Sequence, residues 1–255
     1  MRDEKSAGDV DYGNLAVDYA RHRQPDARIA RQIDAALGTA GTVLNIGAGT
    51  GSYEPAERLV VPIEPSAAMR DERPTGGLPA IDAVAEALPF DQDSFDAAMA
   101  ILTIHQWRDT DHGLREMRRV ARGPVVIMTF DSDAWSRMWL IDYIPELYRL
   151  EGNRFPSIQH VCEVLGGTVD ITEVPIPLDC SDGFAEAFYG RPEALLDPAV
   201  RRAQSGWAFL DPTRVEQAVD QLRSDLRDGT WDRRHGHLRT QASFVGALRI
   251  LTAHP

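Results

Sequence analysis

Short apolar runs alternate with longer amphipathic stretches through the first half of the chain. Thr42-Ile46, Leu59-Ile63, Ala80-Ala83, Phe95-Ile101 and Val125-Phe130 are the runs, short and nearly continuous as strands buried on both faces must be. The stretches between them carry helical spacing, so the order predicts βαβ units in a parallel sheet covered on both sides, with crossovers of fixed hand. Tyr12 to Leu37 reads as one or two helices leading into this core, after a polar first ten residues. Beyond Phe130 the pattern changes. Trp135-Leu150 and Ser157-Leu165 read as helices, and Thr168-Val174 as a strand broken by Pro175 and Pro177. Asp182 to about Arg239 reads as mostly helical, with Asp197-Pro198 and Asp211-Pro212 as helix starts because proline fits the first turn. Phe244-Leu251 closes the chain as a last strand. No internal repeat or low-complexity segment interrupts this order.

Chemistry enters at the end of the first run. Asn45-Ile46-Gly47-Ala48-Gly49-Thr50-Gly51 places glycines on alternate positions where a strand should stop. Glycine lets the backbone take positive φ and approach a ligand closely, while the N–H groups opening a following helix face an electronegative group. A dinucleotide fingerprint would require glycine where Ser52 stands. A G-x-G-x-G loop with an acid closing the next strand, here Glu64 after Leu59-Ile63, suits S-adenosylmethionine (SAM), the carboxylate accepting hydrogen bonds from ribose hydroxyls.

With four further motifs the chain resembles the class I SAM-dependent methyltransferases, in the branch of the ubiquinone/menaquinone C-methyltransferases and their small-molecule relatives. The motifs are Ala85-Glu86-Ala87-Leu88-Pro89-Phe90, Ser94-Phe95-Asp96, His105-Gln106-Trp107 and Glu116-Met117-Arg118-Arg119-Val120, and the resemblance runs from about Tyr12 to Asp131. It implies a Rossmann-like α/β fold: a mostly parallel seven-stranded sheet, an antiparallel edge strand and a helical cap. It divides the chain into a helical leader over the cofactor site (1–37), a SAM-binding core (38–177), a helical insertion (178–241) and the last strand (242–255). The loop residues Asn45, Gly47, Ala48, Gly49 and Gly51 would wrap methionine and ribose, with Glu64 on the ribose and Pro65 and Ser66 beside adenine. Family members often carry an aspartate where this chain has Val84, so adenine would be read by the backbone of Val84 and Ala85 or by Glu86. Ile101 would pass beneath the methionine. Tyr19 and Arg23 match a leader that closes over the cofactor, an arginine fork being suited to SAM's carboxylate.

Composition narrows the partner. The 255 residues include 27 Lys and Arg against 39 Asp and Glu, a net charge of −12, which argues against a nucleic-acid partner and for a small-molecule acceptor. Cys162 and Cys180 have neither zinc-ligand nor redox-pair spacing. Arg234-His235-Gly236-His237 falls short of a four-ligand metal site, so no metal is expected. No apolar run approaches membrane length and the N-terminus lacks the apolar core of a signal peptide, so a cytoplasmic monomer or homodimer is the expectation.

His105 is the candidate base. It follows the fourth predicted strand, where open α/β sheets place their ligand crevice, and imidazole titrates near neutrality. A hydrogen bond to a backbone carbonyl, or a place beside SAM's methionine, suits the same position. Acceptor recognition falls to the aromatic-rich second half, with Trp107, Trp135, Trp139, Tyr189 and His235 as candidates within a group that also includes Tyr143, Tyr148, Phe155, Phe184, Phe188, Trp207 and Phe209 and could enclose a flat or apolar acceptor, although Trp135, Trp139 and Tyr143 also have the spacing of a buried helical stripe. Arg115, Arg118, Arg119 and Arg122 read as a solvated helix face balanced by Glu116. The reading is methyl transfer to carbon or oxygen of a small metabolite. A SAM-binding protein with other chemistry such as cyclisation, a nicotinamide-dependent oxidoreductase and a non-catalytic binding module are the alternatives.

Overall fold

The computed structural model describes residues 21–255. Its strands are β1 (Thr42–Ile46), β2 (Leu59–Ile63), β3 (Ala97–Ile101), β4 (Val125–Phe130), β5 (Val169–Glu173), β6 (Ile176–Pro177), β7 (Ser243–Phe244) and β8 (Leu248–Ala253). Six of them form one sheet in the order β2-β1-β3-β4-β8-β5, and β6 and β7 pair separately. β1 to β4 are mutually parallel, while β8 lies antiparallel between β4 and β5.

Successive residues of a strand point to opposite faces, and the core divides accordingly. Val43, Met99, Val126 and Met128 face Ile29 and Ile33 of α1 (Ala27–Ala36). Leu44, Ala98, Ala100 and Ile127 face the other way, against Leu114 and Met117 on one flanking helix and Val161 and Leu165 on another. Following α2 (Ala67–Asp71), these two flanking helices are α3 (Thr110–Val120) and α5 (Ile158–Leu165), with α4 (Pro145–Arg154) between them in sequence. The long connection from β6 to β7 contains short 3-10 turns and α6 (Pro198–Arg202), α7 (Pro212–Arg227) and α8 (Thr230–His235). Asp197 and Asp211 cap α6 and α7 by accepting from Ala199 and Arg214 N–H, each with proline in the first turn.

Four expectations change. The sheet has six strands rather than seven, because the run at Ala80-Ala83 makes only a single bridge from Ile81 to Ile63. Pro62 accepts from Ile81 N–H at 2.9 Å but has no N–H to return, which leaves the outer side of β2 short of a ladder bond. No helix follows the glycine loop: Gly49, Gly51 and Tyr53 have φ of 51°, 93° and 65°, and Pro55 follows, so no run of right-handed residues starts there. The aromatic stretch expected as one helix over Trp135-Leu150 breaks into 3-10 turns, Ser132–Arg137 and Trp139–Asp142, before α4 opens on Pro145. Of the arginines expected on a solvated face balanced by Glu116, Arg115 and Arg122 are exposed, whereas Arg118 and Arg119 also tie α3 to neighbouring backbone. Arg119 pairs with Glu116 at 2.5 Å and donates to Phe90 O at 2.7 Å, Arg118 donates to the Ala121 and Gly123 carbonyls, and Arg122 pairs with Asp96.

Candidate active site

The glycine loop leaves β1 at its carboxyl end. Gly47, at φ 67°, packs so closely on Thr103 that a Cβ would collide with the threonine side chain. Gly49, at φ 51°, is the converse: a Cβ there would meet nothing within 4 Å, so the loop presents open space on that side. Glu64, 7% exposed, sits behind the loop and accepts from Gly49 N–H and Ser66 N–H, each at 2.8 Å. Burial raises its pKa, and the two N–H groups together with Arg70 and Arg73 oppose that rise. Each carboxylate oxygen has a second lone pair, so Glu64 can accept from a ligand hydroxyl without releasing the loop. Arg73 crosses in front, donating to Gly49 O at 3.2 Å and to both oxygens of Glu54 at 2.9 and 2.8 Å, while Asn45 Nδ2 donates to Glu54 at 2.9 Å.

The turn after β3 links this loop to a cavity. Leu102 takes φ 53°, an uncommon conformation for a bulky residue, and Thr103 beside it is the side chain packed under Gly47. On its other side the turn lines a cavity of about 100 Å³ together with Phe130 at the end of β4. Leu102, Phe130, Trp135, Leu147, Phe155, Phe184 and Trp207 supply its apolar wall. His105 stacks on Phe155 with ring centres 4.0 Å apart. Burial, then the charges of Arg154 and Arg23, push its pKa well below the ordinary value, so the imidazole is neutral at pH 7. His105 Nδ1 and Tyr148 Oη, both shielded from solvent, have no hydrogen-bond partner among the described residues.

The leader meets the insertion beside the loop. Arg23 lines the cavity and pairs with Asp182, Nε to Oδ1 at 2.5 Å, while Tyr53 Oη donates to Asp182 Oδ2 at 2.9 Å. Arg28 pairs with Asp26 and Asp179, holding the Asp26 carboxyl well below the usual carboxylate range.

The structure thus gathers Asn45, Gly47, Ala48, Gly49, Gly51 and Glu64 at the loop, with Pro65 beside Glu64, and sets Ile101 immediately before the shared turn. Val84 is 42% exposed and Ala85 is buried, while Glu86 accepts from Asp109 N–H at 3.0 Å ahead of α3. Tyr19 lies outside the described residues. His105 and Trp135 reach the cavity. Trp107 instead lies over Gly113 of α3, on the opposite face of the sheet. Trp139 donates to Tyr189 O at 2.8 Å and stacks edge-on against Trp231, Tyr189 donates to Gln241 O at 2.6 Å, and His235 packs beside Trp139 and Trp231, so these three build the insertion's core and none lines the cavity. Arg239 is held by Asp232 and Glu193. Tyr148, Phe155, Phe184 and Trp207, members of the aromatic group that the sequence offers for an acceptor, reach the cavity wall, whereas sequence reasoning did not single out Arg73, Glu54 or Glu186, because their significance comes from tertiary burial and partners rather than from any local spacing.

Comparison with known proteins agrees with this geometry. A methyltransferase domain family model matches residues 44–127, from β1 to β4. A ubiquinone/menaquinone biosynthesis C-methyltransferase from a Geobacter species is 34% identical over 113 residues, 38% of this chain and 48% of that protein, so the chain spans about half the length of this curated relative. A solved structure named as a methyltransferase from an antibiotic biosynthesis pathway of Anabaena variabilis is 30% identical, with a TM-score of 0.86, covering 92% of this chain and 100% of the other. The [4+2]-cyclase SpnF shares the fold alone, at 14% identity and a TM-score of 0.50 over 89% of this chain and 81% of its own. The fold and the glycine loop with its acid define a SAM-binding α/β protein of Rossmann-like type. The chain belongs to the class I SAM-dependent methyltransferases. No helix among the described residues is long and apolar enough to cross a membrane.

Proposed function

We propose that this protein transfers a methyl group from SAM to carbon or oxygen of a small organic molecule held in the aromatic cavity. The observation that carries the reading is the turn Leu102–His105, which packs under the glycine loop through Thr103 and lines the cavity through Leu102 and His105. A ligand in the loop and a ligand in the cavity are therefore neighbours across one turn. The open space at Gly49 and the spare lone pairs of Glu64 fit the ribose and methionine portions of SAM, held by Asn45, Gly47, Ala48, Gly49, Gly51 and Glu64. SAM supplies a methyl group already activated on a sulfonium centre.

What the chain supplies is position and exclusion of water. The apolar wall orients a flat acceptor, and orientation alone can account for much of a methyl-transfer rate. His105, neutral and with a free Nδ1, hydrogen-bonds the acceptor's reacting group. Its depressed pKa makes it a weak base, suited to a proton that leaves as the nucleophile commits rather than before. Arg23, which lines the cavity and is oriented by its pair with Asp182, is the arginine assigned to SAM's carboxylate, a guanidinium having five N–H donors. The acidic chain, net charge −12, supports a small acceptor rather than nucleic acid. The alignment with 92% of this chain of a protein named for an antibiotic pathway supports the same class.

The test is calorimetry of the protein with SAM, S-adenosylhomocysteine and NADH side by side, followed by an assay of S-adenosylhomocysteine release over a panel of small acceptors. Binding of the first two and not the third is expected, with release in the presence of some acceptor. Binding without release for any acceptor would favour chemistry other than methyl transfer, and silence from both sulfur nucleosides would overturn the reading.

A further inference from the structure

Two residues of the cavity wall each carry a buried unpartnered atom, and they sit in different electrical surroundings. His105 is under the positive charges of Arg154 and Arg23, whereas Tyr148 is under the negative charges of Glu186, ionised above about pH 7, and of Glu151. Tyr148 comes from α4 and is only 9% exposed, and its hydroxyl finds no partner among the described residues. A buried hydroxyl without a partner is costly, so its persistence in a cavity wall calls for a ligand group that satisfies it. The direction of that bond follows from the field. Hydroxyl dipoles orient in the charge around them, which favours the Tyr148 hydrogen toward the carboxylates and its lone pairs toward a donor on the ligand.

Resting on the reading of this cavity as the acceptor site, we propose that Tyr148 is a specificity-determining residue whose hydroxyl accepts a hydrogen bond from an O–H or N–H group of the acceptor. The acceptor is then a compact, flat, largely apolar molecule that carries a hydrogen-bond donor. It lies with that donor toward Tyr148, Glu186 and Glu151. Trp135 holds the body, standing edge-on to both Tyr148 and Phe155 with ring centres 6.0 and 5.3 Å away.

The experiment compares phenol with anisole, rings of similar size that keep the same oxygen while only phenol has a donor. Both are titrated by ligand-observed NMR into the S-adenosylhomocysteine complex of the natural protein and of Tyr148→Phe. The natural protein should bind phenol about five- to tenfold more tightly than anisole, the value of one buried hydrogen bond. In Tyr148→Phe the ratio should fall severalfold through weaker phenol binding, toward whatever preference His105 alone supplies, with anisole unchanged. Thermal unfolding of Tyr148→Phe should be no lower than that of the natural protein, since an unpartnered hydroxyl is lost. An equal ratio in both proteins, no binding of either ring, or a clear drop in Tm that reveals an internal partner for the hydroxyl would each overturn the proposal. The S-adenosylhomocysteine titration made alongside keeps the two readings apart: its failure counts against methyl transfer, whereas an unchanged ring ratio counts against Tyr148 alone.

Discussion

Glu186 is 2% exposed in the cavity wall, with both carboxyl oxygens 2.9 Å from Ala247 N–H. Burial pushes its pKa up from 4.5 to about 7, against the Ala247 N–H and the Arg249 guanidinium, which pull it down. A carboxyl with a raised folded pKa keeps its proton in the folded chain after the unfolded chain has released it. Its favourable contribution is therefore complete below the unfolded pKa and is lost as pH rises through the folded one. The gap from 4.5 to about 7, at about 1.4 kcal/mol per pH unit, amounts to about 3 kcal/mol. Glu186→Gln keeps the shape and cannot ionise, so the difference between variant and natural protein isolates this group from every other titration. Urea unfolding of both proteins at intervals between about pH 4 and pH 8 should show the glutamine variant gaining about 3 kcal/mol relative to the natural protein across that range, with little further change above it. A difference that stays flat would show that the carboxyl is not perturbed. One that moves the opposite way would show that Arg249 and the Ala247 N–H outweigh desolvation.

Gly49→Val places a branched side chain at φ 51° and fills the space the loop leaves open, so SAM binding should vanish in calorimetry while stability drops by about 1–3 kcal/mol. Retained affinity would move the cofactor elsewhere. Glu64→Ala removes a buried acceptor behind the loop and should weaken SAM by about 1–3 kcal/mol, read as a rise in Kd; an unchanged Kd would dissociate Glu64 from the ribose. His105→Ala should leave SAM affinity within about twofold and lower turnover by roughly a hundredfold, in S-adenosylhomocysteine release. Parallel loss of both would place the imidazole in the cofactor site instead.

Where a residue's conformation is dictated locally, the sequence was sufficient. Three alternate glycines after an apolar run predicted a sharp loop, and Gly47, Gly49 and Gly51 all take positive φ. The order of apolar runs predicted a mostly parallel sheet, and the resemblance added an antiparallel strand at its edge; the structure sets that strand, β8, one place in, between β4 and β5. Local pattern failed where a neighbour decides. Ala80-Ala83 has strand composition, but its partner strand offers Pro62 at the pairing edge. Trp135, Trp139 and Tyr143 have one helical spacing, yet the chain passes through two 3-10 turns. These send Trp135 into the cavity and tie Trp139 to Tyr189 and Tyr143 to Asp225. Sequence offers Tyr148 only as one member of an aromatic group and Glu186 not at all, since an unpartnered hydroxyl and a desolvated carboxyl are defined only by what surrounds them.

Asp182 explains how these distant pieces form one site. A carboxylate that is 2% exposed needs donors to offset its lost hydration, and it draws them from two other segments: the Arg23 guanidinium of the leader and the Tyr53 hydroxyl of the glycine loop's far side. Tyr53 holds φ 65° to reach it, and its hydroxyl also accepts from Asp26 N–H at 3.3 Å, just before α1. The chain that continues from Asp182 runs through Phe184 into the 3-10 turn Ala185–Phe188, which carries Glu186 into the cavity wall and, through Ala247, onto the start of β8. The leader, the loop and the insertion therefore meet at one buried carboxylate, and Asp26 adds a second tie between leader and insertion by accepting from Ser181 N–H at 3.2 Å. That arrangement fixes the aromatic cavity relative to the loop even though the residues forming the two are separated by most of the chain.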